Sequence, residues 1–184
     1  MKQEYTDRVA VPAGVIVTLE PRNGTRVTVK GQKSQVSRLF VDKCVSFKVE
    51  ADSLVLKTDV GTKREKRAVY SAAAHVRNMV LGVQKPFVYK LKVCSSHFPM
   101  TAAVQGAEFV VKNFLGEKVP RKTKMRSDVS VKVAGAEVVV ESADLEAAGQ
   151  IAGAIELLTF VSRRDRRIFQ DGIHLFEKPG REAA

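Results

Sequence analysis

A chain of 184 residues, 45% of them hydrophobic, can build a packed core and is long enough for one large domain or two small ones. Its 31 Lys and Arg against 20 Asp and Glu leave a net charge of +11, which points to a polyanionic partner because each cation on a phosphate releases condensed counterions. No apolar run nears the roughly 20 residues of a membrane span, the start MKQEYTDRVAVPAG does not read as a signal peptide, and Cys44 and Cys94 match no zinc spacing. A reducing compartment with two ordinary thiols is expected.

Strands are predicted wherever apolar residues alternate. Val15, Val17 and Leu19 share a face, and Asn23-Gly24 supplies turn residues ahead of the strand Arg26–Lys30. Val45–Val49 and Leu54-Val55-Leu56 follow as a hairpin. The stretch 64–81 then changes to helical spacing, with Val69, Ala72, Ala73, Val76 and Val80 on one stripe. Thr62 and Glu65 have capping-box spacing at its start, and Gly82 is placed as its stop.

Pro86–Val93 bridges to a second round of the same elements. Gly106–Lys112 resembles Gly24–Lys30, and Val129–Val133 resembles Val45–Val49. Val138-Val139-Val140 follows after the turn residues Ala134-Gly135. The stretch 144–161 carries Ala148, Ile151, Ala152, Ile155 and Leu158 on one helical stripe, with Asp144 as N-cap. The same order of elements twice, roughly 80 residues apart, predicts a tandem duplication. The expected fold is therefore α+β, as two duplicated domains over 1–84 and 85–184, each an antiparallel sheet packed on one helix.

Three stretches gather the basic charge. Lys63, Arg64, Lys66 and Arg67 crowd the first helical turn, where the macrodipole favours anions. A phosphate held there would resolve the conflict, and a merely solvated turn is the alternative. Asn113–Arg126 reads as a Gly- and Pro-containing loop between two strands, with Lys118, Arg121, Lys122, Lys124 and Arg126 suited to tracking an RNA backbone. Arg163, Arg164, Arg166 and Arg167 form the densest guanidinium cluster, ahead of a short strand, and guanidinium forks bind phosphate and stack on bases. Phe169, flanked by Ile168 and Ile173, reads as core.

Four segments in order carry a resemblance that spans nearly the whole chain. They are His75–Val83, Ser96-His97-Phe98-Pro99-Met100, Asn113–Lys118 and Asp165–Ile173. Together they resemble the universal large-subunit ribosomal protein family conventionally numbered six in bacteria, in its archaeal and eukaryotic form (large-subunit protein nine in eukaryotes). The wording of Asn78-Met79 and Ser96–Pro99 leans toward the eukaryotic form. The resemblance implies a duplicated α+β protein bound to large-subunit rRNA near the sarcin–ricin loop and the stalk base, beside the landing site of translational GTPases. It further implies neighbouring ribosomal proteins as partners, a cytoplasmic place on the ribosome, and most rRNA contact from the C-terminal copy. Two departures stand out: Lys30-Gly31-Gln32-Lys33-Ser34 replaces the usual Lys-Gly-Pro-x-Gly, and the aromatic residues common before the first helix are missing.

Rival functions are weaker. Asp165, Asp171 and His174 could be imagined as an acid–base set, but no nucleophile motif, phosphate-cradling glycine loop or second nearby His accompanies them. A general RNA chaperone would want an aromatic platform, and only 7% of residues are aromatic. An adaptor could use the acidic face of Asp144, Glu146 and Glu156, which is equally a solvated helix face. The expectation is a structural rRNA-binding protein, not an enzyme, with no cofactor, metal, membrane or small-molecule substrate.

Overall fold

The apolar stripes of the two predicted helices and the alternating strands come together as two repeats of one pattern in a computed structural model, which describes residues 4–180 except 22, 51, 60 and 97. His97 of the Ser96–Met100 segment thus lies outside the described residues. The chain divides into two compact units, 1–86 and 87–184.

In the first unit the strands are β1 (Tyr5–Ala10), β2 (Ile16–Pro21), β3 (Thr25–Lys30), β4 (Gln35–Phe40), β5 (Ser46–Glu50) and β6 (Ser53–Thr58), followed by helix α1 (Lys63–Gln84). They form two antiparallel three-stranded sheets, β1-β6-β5 and β2-β3-β4. Central strands β3 and β6 bury Val27, Val29, Leu54 and Leu56 completely, against Val69, Ala73 and Val76 of α1. Each such Val or Leu contributes about 1.5–3 kcal/mol by leaving water.

Both ends of α1 differ from expectation. Thr62 takes the extended N-cap conformation, but its side chain makes no capping bond, so the Thr62–Glu65 box does not form. One carboxylate oxygen of Glu65 is instead buried without a hydrogen-bond partner. At the other end Gly82 does not stop the helix. It is buried inside the last turn, and the chain leaves at Lys85, which is extended (φ −135°, ψ 118°) because Pro86 disfavours a helical residue before it.

The second unit repeats the order as β7 (Phe87–Cys94), β8 (Thr101–Gln105), β9 (Glu108–Lys112), β10 (Arg121–Lys124), β11 (Ser130–Ala134), β12 (Glu137–Ser142) and α2 (Leu145–Leu158). A further strand, β13 (Gly172–Glu177), follows α2. The sheets are β10-β9-β8 and β11-β12-β7-β13, so β7, β11 and β12 repeat β1, β5 and β6, and β13 adds an edge beside β7. The pairing registers repeat as well: Val27 faces Leu19 and Arg38 as Phe109 faces Val104 and Thr123. The α+β class and the duplication stand, with each half dividing its strands between two sheets.

In this half Asp144 caps α2 as expected, its Oδ1 accepting from the Glu146 N–H at 3.0 Å. The predicted stripe Ala148, Ile151, Ala152 and Ile155 is buried with Phe109, Val138, Val140 and Leu91, and Leu158 packs at its margin. Asn113–Arg126 is not a simple loop. A 3-10 turn, Phe114–Gly116, buries Phe114, and Arg121–Lys124 form β10, paired with β9 from Arg121 opposite Val111 to Lys124 opposite Glu108.

Candidate nucleic-acid interface

Period two in β10 decides which cations face solvent. Arg121 and Thr123 are half-buried, whereas Lys122 and Lys124 point out and are exposed. The Arg121 guanidinium is spent within the protein. Its Nε and Nη2 donate to the two oxygens of Glu117 at 2.8 and 2.6 Å, and Nη1 donates to the Leu158 carbonyl at 2.8 Å. Its Cζ also lies over the Phe114 ring, 4.3 Å from the ring centre. Arg121 holds the Glu117 carboxyl below the usual carboxylate range, chiefly through this hydrogen bond, with Arg164 adding a smaller charge effect.

Those contacts bring the two basic stretches of the second unit together. Arg121 ties β10 to the end of α2, and Arg164 from the arginine cluster is close enough to act on Glu117. Lys118 is exposed in the same turn. The cluster has no regular secondary structure: the Asp165 carbonyl accepts from the N–H groups of Ile168 and Phe169, and Arg163 takes a left-handed conformation (φ 60°). Arg167 forks onto Asp165 (2.8 Å at its closest), and this pairing depresses the Asp165 pKa. Arg164 lies over Phe169 at 4.9 Å, and Arg166 over Phe160 at 4.8 Å.

Four other predicted cations also have carboxylate neighbours or lie elsewhere. Arg126 is forked onto Asp128 at 3.0 and 2.8 Å, and Lys122 approaches Glu108 at 3.5 Å. Lys63 and Arg64 are exposed in the first turn of α1, in the first unit. Among the described residues, Lys118, Lys124, Arg163, Arg164 and Arg166 have no carboxylate in salt-bridge range.

No acid–base set assembles from Asp165, Asp171 and His174. Asp165 is taken by Arg167, and Asp171 is buried, accepting from both the N–H and the hydroxyl of Ser96. That bond fastens the turn after β7 to the start of β13. His174 Nε2 stands 3.4 Å from the Gln170 carbonyl. Among the described residues no cluster of metal-ligating side chains occurs, and no helix is long and apolar enough to cross a membrane.

Sequence reasoning missed the groove beside this cluster. About 950 Å³ in volume, it is lined by Lys92, Phe160, Arg166, Phe169, Gln170 and His174, among others. It also missed the two arginine–ring stacks. Phe169 packs at the edge of the core, as expected, but its other surface carries Arg164. No sequence spacing announces such pairs, because the 159–171 segment follows neither a strand nor a helix period.

Fold and site together define a duplicated α+β protein with a cationic strip at the end of its second helix. The model of the family described as Ribosomal protein L6 matches residues 11–86. Large ribosomal subunit protein uL6 of Aeropyrum pernix is 42% identical, over 94% of this chain and 93% of its own. Its counterparts in Desulfurococcus amylolyticus and Natronomonas pharaonis are 41% and 39% identical, over 94% of this chain and 94% and 96% of theirs. The chain belongs to the uL6 family of large ribosomal subunit proteins, structural components of the ribosome rather than enzymes. These three relatives are archaeal, whereas the motif wording leaned toward the eukaryotic form.

Proposed function

We propose that the protein docks on large-subunit rRNA through phosphate contacts made chiefly by its second unit, near the sarcin–ricin loop and the stalk base. The two units, with the boundary expected at 84/85, would act as separate domains that grip converging rRNA helices in the cytoplasmic ribosome, with translational GTPases nearby. The observation that carries this reading is the group Lys118, Lys124, Arg163, Arg164 and Arg166, cations left without carboxylate partners on a protein of net charge +11. Holding unneutralised like charges together is unfavourable in the free protein, and phosphates relieve the repulsion while releasing counterions. Lys122, Arg126 and Arg167 would exchange or share their carboxylates for phosphate. Lys63 and Arg64 would make a separate contact from the first unit. Arg121 belongs to the scaffold of the site and not to its binding face.

Sedimentation of a tagged copy from lysate tests the reading. Co-migration with the large subunit is expected, with loss on changing Arg163, Arg164, Arg166 and Arg167 to Ser. A wild-type copy that stays at the top of the gradient under incorporating expression levels overturns it.

A further inference from the structure

Phosphate contact explains the exposed cations but not the groove. Phe160 is 47% exposed just beyond the end of α2, and the Arg166 guanidinium lies over it. Arg164 on Phe169 repeats the arrangement in the same segment. A guanidinium that only meets phosphate does not need a ring beneath it. Stacked on a ring, it is held flat as a planar cation, and its second face suits another planar π-system.

The groove supplies what such a partner would need at its edges. Gln170 uses Nε2 to donate to the Arg167 carbonyl, which leaves its Oε1 as an acceptor. His174 and Lys92 add polar groups on the same lining, and Lys92 has no carboxylate partner among the described residues. Of the two carboxylates there, Glu156 accepts from the Leu175 N–H and Asp171 is held by Ser96. The volume is that of a small-ligand site, and the lining favours an anion with a planar apolar body.

We propose that the groove takes one unpaired RNA base, stacked on the Phe160–Arg166 pair, with Gln170 and His174 reading its edge and Lys92 meeting the adjoining phosphate. This rests on the RNA-binding reading above and adds a base-stacking contact to one of backbone phosphates. A peptide is the rival occupant: Arg and aromatic residues are enriched at protein–protein contacts, and Lys92 is the lining residue that speaks against it, since Lys is depleted there.

The chain contains no Trp, so Phe160→Trp in the full-length protein installs a single indole in the groove and keeps a stacking surface. Titration with pentauridylate or pentaadenylate is expected to quench its emission, and inorganic tripolyphosphate at matched charge is not. Phe160→Ala, a change at a half-exposed position, is expected to weaken oligonucleotide binding about tenfold, within the range for stacking one base on one ring. Equal quenching by tripolyphosphate, or an unchanged indole while a large-subunit rRNA fragment binds, overturns the groove assignment and leaves the phosphate reading standing. If the rRNA fragment itself does not bind, that reading fails first and this one with it. A photo-crosslinker at position 160 in assembled subunits that captures a protein neighbour and not RNA also overturns it.

Discussion

Arg121 on β10 donates to the Leu158 carbonyl at 2.8 Å, so a strand of one sheet fastens the last turn of the helix packed on the other. Helix C-termini leave carbonyls unsatisfied, and a guanidinium is well placed to answer one and to oppose the negative end of the macrodipole. Arg121→Ala is expected to lower unfolding free energy by about 1–3 kcal/mol, since the lost bonds involve charged groups but the Glu117 pair is partly exposed. Arg121→Lys recovers little, because an ammonium cannot fork onto Glu117 and reach Leu158 together. Chemical denaturation measures the loss. A variant of unchanged stability whose rRNA salt dependence falls by about one phosphate contact would make Arg121 a ligand instead.

How far the sequence could be read depended on what carried the signal. Both helices were visible because Val69–Val80 and Ala148–Ile155 repeat at helical spacing and those residues bury. Strands β3, β6, β9 and β12 were visible because their apolar residues fill the core. Strand β10 was not: Arg-Lys-Thr-Lys has no apolar residue to alternate, and the hydrogen bonds of β9 impose its register. The end of α1 was misplaced because Gly82 permits a stop that Pro86, four residues on, enforces. The cations of the site were plain from their density, but their availability was not. Arg121 meets a carbonyl 37 residues away, a pairing that only the fold creates.

Gly31 begins the turn between β3 and β4, in the segment that departs from the usual family wording. A Cβ there would lie 2.1 Å from Cγ1 of Val83, a buried residue of α1. Gly31→Ala must displace that side chain or the turn, and overpacking of this kind costs about 1–3 kcal/mol. Gly153→Ala, on a face with open space, is the contrasting control and is expected to stabilise slightly by helix propensity. Thermal unfolding of the two variants should move in opposite directions.

Acid should loosen the junction between β10 and α2. Arg121 depresses the folded-state pKa of Glu117, so the pair contributes stability above the unfolded-state value. That contribution is lost as pH falls through the depressed folded value. Carboxyl carbon shifts followed by NMR should place the Glu117 midpoint below the ordinary Glu range, with Arg121→Ala returning it toward that range. Asp165 should behave alike through Arg167. An ordinary Glu117 midpoint in the wild type would mean that the two groups are not paired in solution.

The exposed lysines make a quantitative claim. If about five cations meet phosphate, log affinity for a large-subunit rRNA fragment against log salt has a slope of roughly −3.5 to −4.5. Changing Lys118, Lys122 and Lys124 to Ser should make that slope shallower by about 2 to 3, with little change in stability, because their side chains project to solvent. A wild-type slope near zero would remove the electrostatic account altogether.

Asp171 separates a structural carboxylate from a catalytic one. It is 3% exposed and receives both the backbone N–H and the hydroxyl of Ser96, so its removal takes away two hydrogen bonds at the join of β7 and β13. Hydrogen bonds to a charged group contribute about 1.5–3 kcal/mol, and less where the donor, like exposed Ser96, can turn to water. Asp171→Ala is therefore expected to destabilise the second unit by about 1–3 kcal/mol. Hydrogen exchange should accelerate first around Ser95, Ser96 and Gly172. Ser96→Ala removes only the hydroxyl and should cost less, leaving the backbone bond in place. If Asp171→Ala folded with wild-type stability, the carboxylate would not be the fastening of this turn, and the wall of the neighbouring groove would owe its shape to packing alone.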